Sequence, residues 1–153
     1  MRHIASRGLL AVLSGFIAVT ALVGAAFVVP ALPLEWLEGS VLADYTIPAL
    51  ALGLVGLSAV VTLAALVVGP EAAGAFAVVT GTAMVIFELV EIWVVGFSLV
   101  EYGIGEPVAW LQVIYLVVGT TLAGVGFSLW RATTDEREAS APAMPSPTSP
   151  MHQ

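Results

Sequence analysis

Four long apolar blocks, at about 9–31, 46–68, 72–98 and 108–130, constrain this chain more than any other feature. Each is long enough to cross a hydrocarbon core of about 30 Å, which takes about 20 helical residues. A spanning segment must satisfy its own backbone hydrogen bonds, so the blocks are expected to be helices. Strands of a membrane barrel would be shorter and would alternate apolar and polar residues, a pattern absent here. Composition agrees: 59% of the 153 residues are hydrophobic and 10% are charged, against about 25% charged in ordinary soluble domains. The expected fold is therefore all-α, an integral membrane antiparallel four-helix bundle. A four-span domain covers residues 1–131, and a disordered tail covers 132–153. The start "MRHIASR" resembles that of a signal peptide, but the run from Gly8 to Val29 is uncharged and longer than a typical signal core, so an uncleaved helix is expected.

The basic residues set the expected topology. All four are arginines: Arg2 and Arg7 precede the first block, and Arg131 and Arg137 follow the fourth. The loops at 31–45 and 100–107 hold only acidic charges, namely Glu35, Glu38, Asp44, Glu101 and Glu106. The positive-inside rule then puts both termini in the cytoplasm and both acidic loops outside, in a multi-pass protein of the inner (plasma) membrane. The turn "VGPEA" joins helices two and three on the cytoplasmic side. The Pro- and Ser-rich end "ASAPAMPSPTSPMHQ" lacks the apolar residues to bury and is expected to be disordered.

The outer loop "PALPLEWLEGSVLADYTIP" is the richest stretch outside the blocks. Pro30 and Pro33 end the first helix because proline cannot donate the helical hydrogen bond. "LEWLEG" then suits a short turn on the membrane surface, with Trp36 at headgroup level. Asp44 and Thr46 both suit the N-cap of the second helix, and Pro48 is tolerated in its first turn. Trp36, Glu35, Glu38, Asp44 and Tyr45 are the candidate surface residues. The loop reads either as a helical hairpin connection or as a lip over a cavity or partner-docking surface.

"LEWLEGSVLADYTIPALALGL", "FELVEI" in the third block and "LQVIYLVVG" in the fourth carry a resemblance. Their order and spacing resemble a family of small bacterial four-span membrane proteins, with a W-L-E-G-[ST] outer loop, a D-Y-x-I-P helix start and an F-E-x-V-E third helix. The likeness covers residues 9–130. It departs at Val41-Leu42, where the family pattern has Pro-Phe. The resemblance implies the four-span layout and carries no activity with it.

"FELVEIW" places two acids, Glu88 and Glu91, inside an apolar block. At 100° per residue, Gly74, Ala77, Gly81, Met84, Glu91 and Val95 share the Glu88 face, while Phe76, Val79, Ile86, Val90, Trp93 and Phe97 lie opposite. Small residues favour close helix approach, so the acidic face is expected to point into the bundle and the bulky face to lipid. Matching small-residue stripes are Ala11, Ser14, Gly15, Ala18 and Ala25 on helix one, and Thr46, Ala49, Gly53, Gly56 and Ala64 on helix two. Helix four carries Gln112, Tyr115, Gly119, Ala123 and Gly126. Counting about 1.5 Å per residue from Ser98 and Val108 puts Glu91 level with Tyr115 and Glu88 a turn deeper. The expected cluster is Glu88, Glu91, Gln112 and Tyr115.

No Lys or Arg lies within a block to pair with these acids. An unpaired carboxylate in a low-dielectric site is costly, and two neighbours do not readily ionise together, so one or both are expected to be neutral. The leading expectation is a structural or accessory component of a membrane assembly, with the acids as interhelical hydrogen-bonders worth about 0.6 kcal/mol each. A proton- or cation-coupled small transporter, or a subunit of one, is the first alternative, because intramembrane acids commonly mark working sites. A lipid- or quinone-binding protein is the second. Four helices with such small contact faces are expected to leave little internal volume, so a transport path would need a homo-oligomer or a membrane-complex partner.

Enzymatic activity is not expected. Cysteine is absent, and His3 and His152 lie at the termini, far from any serine in the blocks. Ser14, Thr20, Ser58 and Thr62 are expected to bond to their own helix backbone. No catalytic residue, metal ligand set or cofactor is assigned. The bilayer is the expected partner, and nothing is basic enough for nucleic acid.

Overall fold

The computed structural model describes residues 2–94 and 105–140, all helix, turn or loop, with no strand among them. The α-helices are α1 (Arg2–Val23), α2 (Thr46–Val68), α3 (Pro70–Val94) and α4 (Gly105–Ser140). Four segments, Ala5–Ala31, Thr46–Val68, Pro70–Val94 and Trp110–Ser140, are long and apolar enough to cross a membrane. The helices run antiparallel in chain order. α1 packs on α2, α2 on α3 and α3 most extensively on α4, which returns to α1, while the α1–α3 diagonal barely touches.

Two boundaries differ from expectation. The first span is not one α-helix. After Val23 it becomes a π-helix over Gly24–Val28 and then a 3₁₀ turn over Val29–Ala31. Pro30 sits in that last turn, which it can end but not propagate. α4 runs to Ser140, so the expected boundary between span and tail at 131/132 falls inside a helix. There Arg137 reaches Glu71 at 2.7 Å, tying the end of α4 to the first turn of α3. The expected exit near Ser98, the faces of Val95 and Phe97, and the tail beyond Ser140 lie outside the described residues.

Glycine sets the helix spacing. A Cβ on Gly74 would meet the Gly126 carbonyl at 2.8 Å, and one on Gly126 would meet the Ala77 Cβ at 2.7 Å. Gly81 packs in the same way on the Gly119 carbonyl and Ala123. The two glycine pairs lie two turns apart on each helix, so α3 and α4 share one antiparallel register with backbone against backbone. Gly56 does the same for α1 and α2 by seating Leu22, whose Cγ lies 2.8 Å from where a Cβ would stand.

The faces of α3 are as the periodicity requires. Gly74, Ala77, Gly81, Met84 and Glu88 are buried, whereas Phe76, Val79, Ile86, Val90 and Trp93 are exposed. The α2 stripe needs correction, while the α1 and α4 stripes hold in part, with Ser14, Ala18, Gly119 and Gly126 buried. On α2, Thr46 and Ala64 are exposed, and the buried set is Val55, Gly56, Ala59, Thr62 and Ala65. α2 contacts both α1 and α3, so its buried arc is wider and rotated. On α1 and α4 the deepest positions include large residues, Leu10, Ile17, Leu122 and Leu129. They fill the space between helices that the glycines do not bring into contact.

Polar groups within the spans mostly bond locally, as expected. Thr20 donates to the Phe16 carbonyl, Ser58 to Val55, and Thr62 lies 3.0 Å from the Ser58 carbonyl. Thr62 also meets Thr80 across α2 and α3 at 2.9 Å. Ser14 departs from this pattern: its hydroxyl is fully buried with no hydrogen-bond partner among the described residues.

At the end carrying the chain termini, Gly69 alone separates α2 from α3, with Pro70 starting α3. Arg7 donates to the Leu66 carbonyl at 2.6 Å, satisfying an acceptor in the last turn of α2. At the opposite end, hereafter the loop end, residues 32–45 fold back over the bundle. Leu34–Leu37 form a 3₁₀ turn, and Gly39 takes the left-handed conformation at φ 81° that reverses the chain. The Tyr45 hydroxyl donates to the Pro33 carbonyl at 3.0 Å, strapping the loop to the start of α2.

Tyr45 takes the N-cap position of α2, which neither Asp44 nor Thr46 holds, and Asp44, one residue earlier, accepts the Thr46 N–H at 2.8 Å. This bond holds the Asp44 carboxyl below its ordinary value of 3.8. A depressed native value stabilises the fold above 3.8, and the contribution disappears as pH falls through the native value. Asp44→Ala is therefore expected to lower the melting temperature at pH 7, with the deficit vanishing in strong acid, as thermal melts of the two proteins across pH will show.

Candidate functional site

A partly open pocket of about 460 Å³ lies at the loop end of the bundle. The expectation of little internal volume fails here. The glycine contacts that close the α3–α4 seam stop at Gly81 and Gly119, and beyond them the facing positions carry larger side chains, Glu88, Glu91, Gln112 and Tyr115. The π-helical turn of α1 forms one wall through Val23, Gly24 and Val28, and Ala51 and Leu52 of α2 form the next. A π turn widens a helix by one residue per turn and is common at functional sites. Its Gly24 lies against Leu52, where a Cβ would stand 2.9 Å from the Leu52 Cδ2. Leu32, Leu42 and Tyr45 of the loop complete the lining at the loop end. The volume falls within the range of about 300–1,000 Å³ usual for small-molecule sites.

The cavity wall is apolar except for Thr20, Tyr45 and the four residues expected to cluster. Glu88, Glu91, Gln112 and Tyr115 all line it. Gln112 Nε2 donates to Glu91 Oε1 at 3.4 Å, a long bond. The geometry follows from helix direction. Side chains lean toward the N-terminus of their own helix, so in an antiparallel pair Glu91 leans down α3 as Gln112 leans up α4, and they converge. Continuing the glycine register by two turns brings Glu88 level with Gln112, and Tyr115 leans toward it from one turn below. The expected levels, Glu91 with Tyr115 and Glu88 a turn deeper than its partners, are therefore shifted. They assumed helix ends at Ser98 and Val108, whereas the glycine contacts determine the register.

Glu88 is 1% exposed, and its Oε2 has no hydrogen-bond partner among the described residues. The Tyr115 ring packs on Phe16 of α1, with centroids 5.9 Å apart, and its hydroxyl faces Thr20. Thr20 was read from the sequence only as a backbone-bonded hydroxyl. Its place in the site depends on the α1–α4 contact, which no spacing within one helix reveals. Leu42 and Tyr45 likewise join the site through the loop fold. Glu35 and Glu38 are exposed and do not line the cavity. Asp44 also stays outside it, and the side chain of Trp36 lies outside the described residues.

The donor set limits the chemistry. Two carboxyls and one carboxamide offer fewer oxygens than the six to eight that Ca²⁺ takes, and among the described residues no three His, Asp or Glu side chains gather. The arrangement suits an organic molecule with an apolar body and a small hydrogen-bonding head. Comparisons with family models, with curated proteins and with solved structures found no match to this chain. The functional reading therefore rests on the chemistry of the site.

Proposed function

We propose that this chain is a multi-pass membrane protein that binds a membrane-soluble amphiphile in its loop-end cavity. The apolar body would lie against α1 and α2, and the head would bond to Glu88, Glu91, Gln112 and Tyr115. The carrying observation is an apolar cavity of about 460 Å³ whose polar lining includes a buried carboxyl with an unpartnered oxygen. Interhelical hydrogen bonding alone, the leading sequence expectation, accounts for Glu91 and Gln112 but leaves Glu88 Oε2 without a role. It also leaves the cavity empty of purpose. The arginine distribution supports cytoplasmic termini, which would place the cavity in the outer half of the plasma membrane.

The test is direct. The protein, extracted in mild detergent, is expected to carry about one amphiphile per chain, detected by mass spectrometry of an organic extract. Gln112→Leu combined with Tyr115→Phe removes two head contacts at about 1 kcal/mol each, so affinity is expected to fall roughly 30-fold. Wild-type protein with no enriched amphiphile, or equal loading of the double variant, would contradict the proposal.

A further inference from the structure

The cavity reading leaves open which head group fits, and the charges around the site narrow it. We infer that the occupant is a lipophilic cation, an alkyl or aryl ammonium, and that it enters in exchange for a proton. The inference rests on the cavity being a binding site and specifies its ligand.

Begin with what faces Glu88. On α3 its neighbour across one turn is Glu91, and on α4 Gln112 and Tyr115 line the same cavity. α1 contributes Thr20, the loop contributes Tyr45, and the cavity-lining residues of α2 are all apolar. None of these is a cation. The chain has no Lys, Arg or His between Arg7 and Arg131, and Arg7 is engaged with Leu66 at the opposite end of the bundle. Among the described residues, therefore, no positive charge stands opposite the two carboxyls.

Donors are scarce as well. Gln112 Nε2 gives a long bond to Glu91, and Glu88 Oε2 has no partner among the described residues. An ammonium brings N–H donors and a positive charge to the place where both are missing. In a low-dielectric site, attraction between opposite charges is far stronger than in water. A neutral head forgoes that attraction, and an anionic head is repelled. The walls also suit a cation, because the rings of Tyr45, Phe87 and Tyr115 line the cavity, and aromatic faces attract cations.

The empty site must nonetheless be stable, which favours a protonated carboxyl. Binding then balances simply. The O–H bond of one carboxyl breaks, its proton leaves to water, and the carboxylate pairs with the ammonium. One cation in and one proton out leaves the charge of the bundle unchanged. Affinity for the cation is therefore expected to rise with pH, by up to about tenfold per unit while that carboxyl remains protonated in the empty protein.

The experiment compares three probes with one twelve-carbon chain: dodecylammonium, dodecanol and dodecanoate. Each is radiolabelled and titrated against the full chain in phosphatidylcholine nanodiscs, with empty nanodiscs subtracted, from pH 6 to pH 8. The amine stays protonated in this range, as a lysine does. The expected result is saturable binding of dodecylammonium, tighter than dodecanol by about tenfold or more and strengthening with pH. Proton release of about one per cation is expected in weakly buffered solution. Glu88→Gln is expected to weaken dodecylammonium by about tenfold or more. The wild-type pH series stands independently if that variant folds poorly. Dodecanol or dodecanoate binding as tightly as dodecylammonium, or a pH-independent cation affinity, overturns the inference while leaving the cavity as a site. Saturable binding of none of the three overturns the inference and the cavity reading together.

Discussion

Gly81→Ala is expected to destabilise the protein even though alanine is the better helix former. In an unconstrained helix the exchange should help by about 1 kcal/mol. At Gly81, however, the added methyl would collide with the Gly119 carbonyl and stand 2.6 Å from the Ala123 amide nitrogen. Both are backbone atoms of α4, so no rotamer change relieves the contact and the helices must separate. Overpacking of this kind costs about 1–3 kcal/mol, and the separation is transmitted along the α3–α4 seam to Gly74 and Gly126. The control is Gly124→Ala, where nothing lies within 4 Å of the new Cβ. That variant is expected to hold or raise stability. Thermal melts in one detergent should place Gly81→Ala below wild type and Gly124→Ala at or above it. The reverse order would mean that the α3–α4 seam is looser than its glycines indicate.

Ala51→Trp is expected to abolish ligand binding without unfolding the bundle. Ala51 lines the cavity from α2, so an indole there occupies the space assigned to the apolar body while leaving the carboxyl cluster untouched. Filling a cavity commonly stabilises a protein, so the ligand-free variant should melt at or above wild type. The large effect is in the response to ligand. At 100 times the dissociation constant, binding stabilises wild type by about 2.7 kcal/mol, and the variant should lose nearly all of that gain. Ala64→Trp, at an exposed α2 position that does not line the cavity, is the matched control and should keep the full ligand-induced shift. An Ala51→Trp protein that binds normally would move the site elsewhere in the bundle.

Much of this architecture is legible in the residues. Four apolar blocks predict four helices because a chain in lipid must satisfy its own backbone. The 100° periodicity of α3 separates Glu88 from Trp93 correctly because a helix packed mainly on one seam has one buried face. On α2, which packs on both α1 and α3, periodicity does not single out the buried face. Ala64 shows the failure, being on the expected inner stripe yet exposed. Selecting small residues as the inner face also passes over Leu10, Ile17, Leu122 and Leu129, which the structure buries. A large side chain is buried where the facing helix leaves room, and that information lies in the partner.

The candidate site divides in the same way. The chemistry of Glu88, Glu91, Gln112 and Tyr115 was readable because polar groups stand out in apolar runs, and antiparallel order brings helices three and four side by side. Their levels were not readable, because register depends on how glycines seat against a facing backbone. The cavity was not readable either. Its walls come from the π turn that begins at Gly24 and from Leu32, Leu42 and Tyr45 of the loop.

By itself, then, the sequence determined which segments are helical, which face of α3 is buried, and that two acids sit inside without a cation. These follow from local periodicity and from the hydrogen-bonding demands of an apolar medium. Only the tertiary structure decided where those acids stand, that Thr20 and Tyr45 join them, and that there is room for a ligand. Those depend on contacts between helices, where the fit of one surface against another sets the spacing.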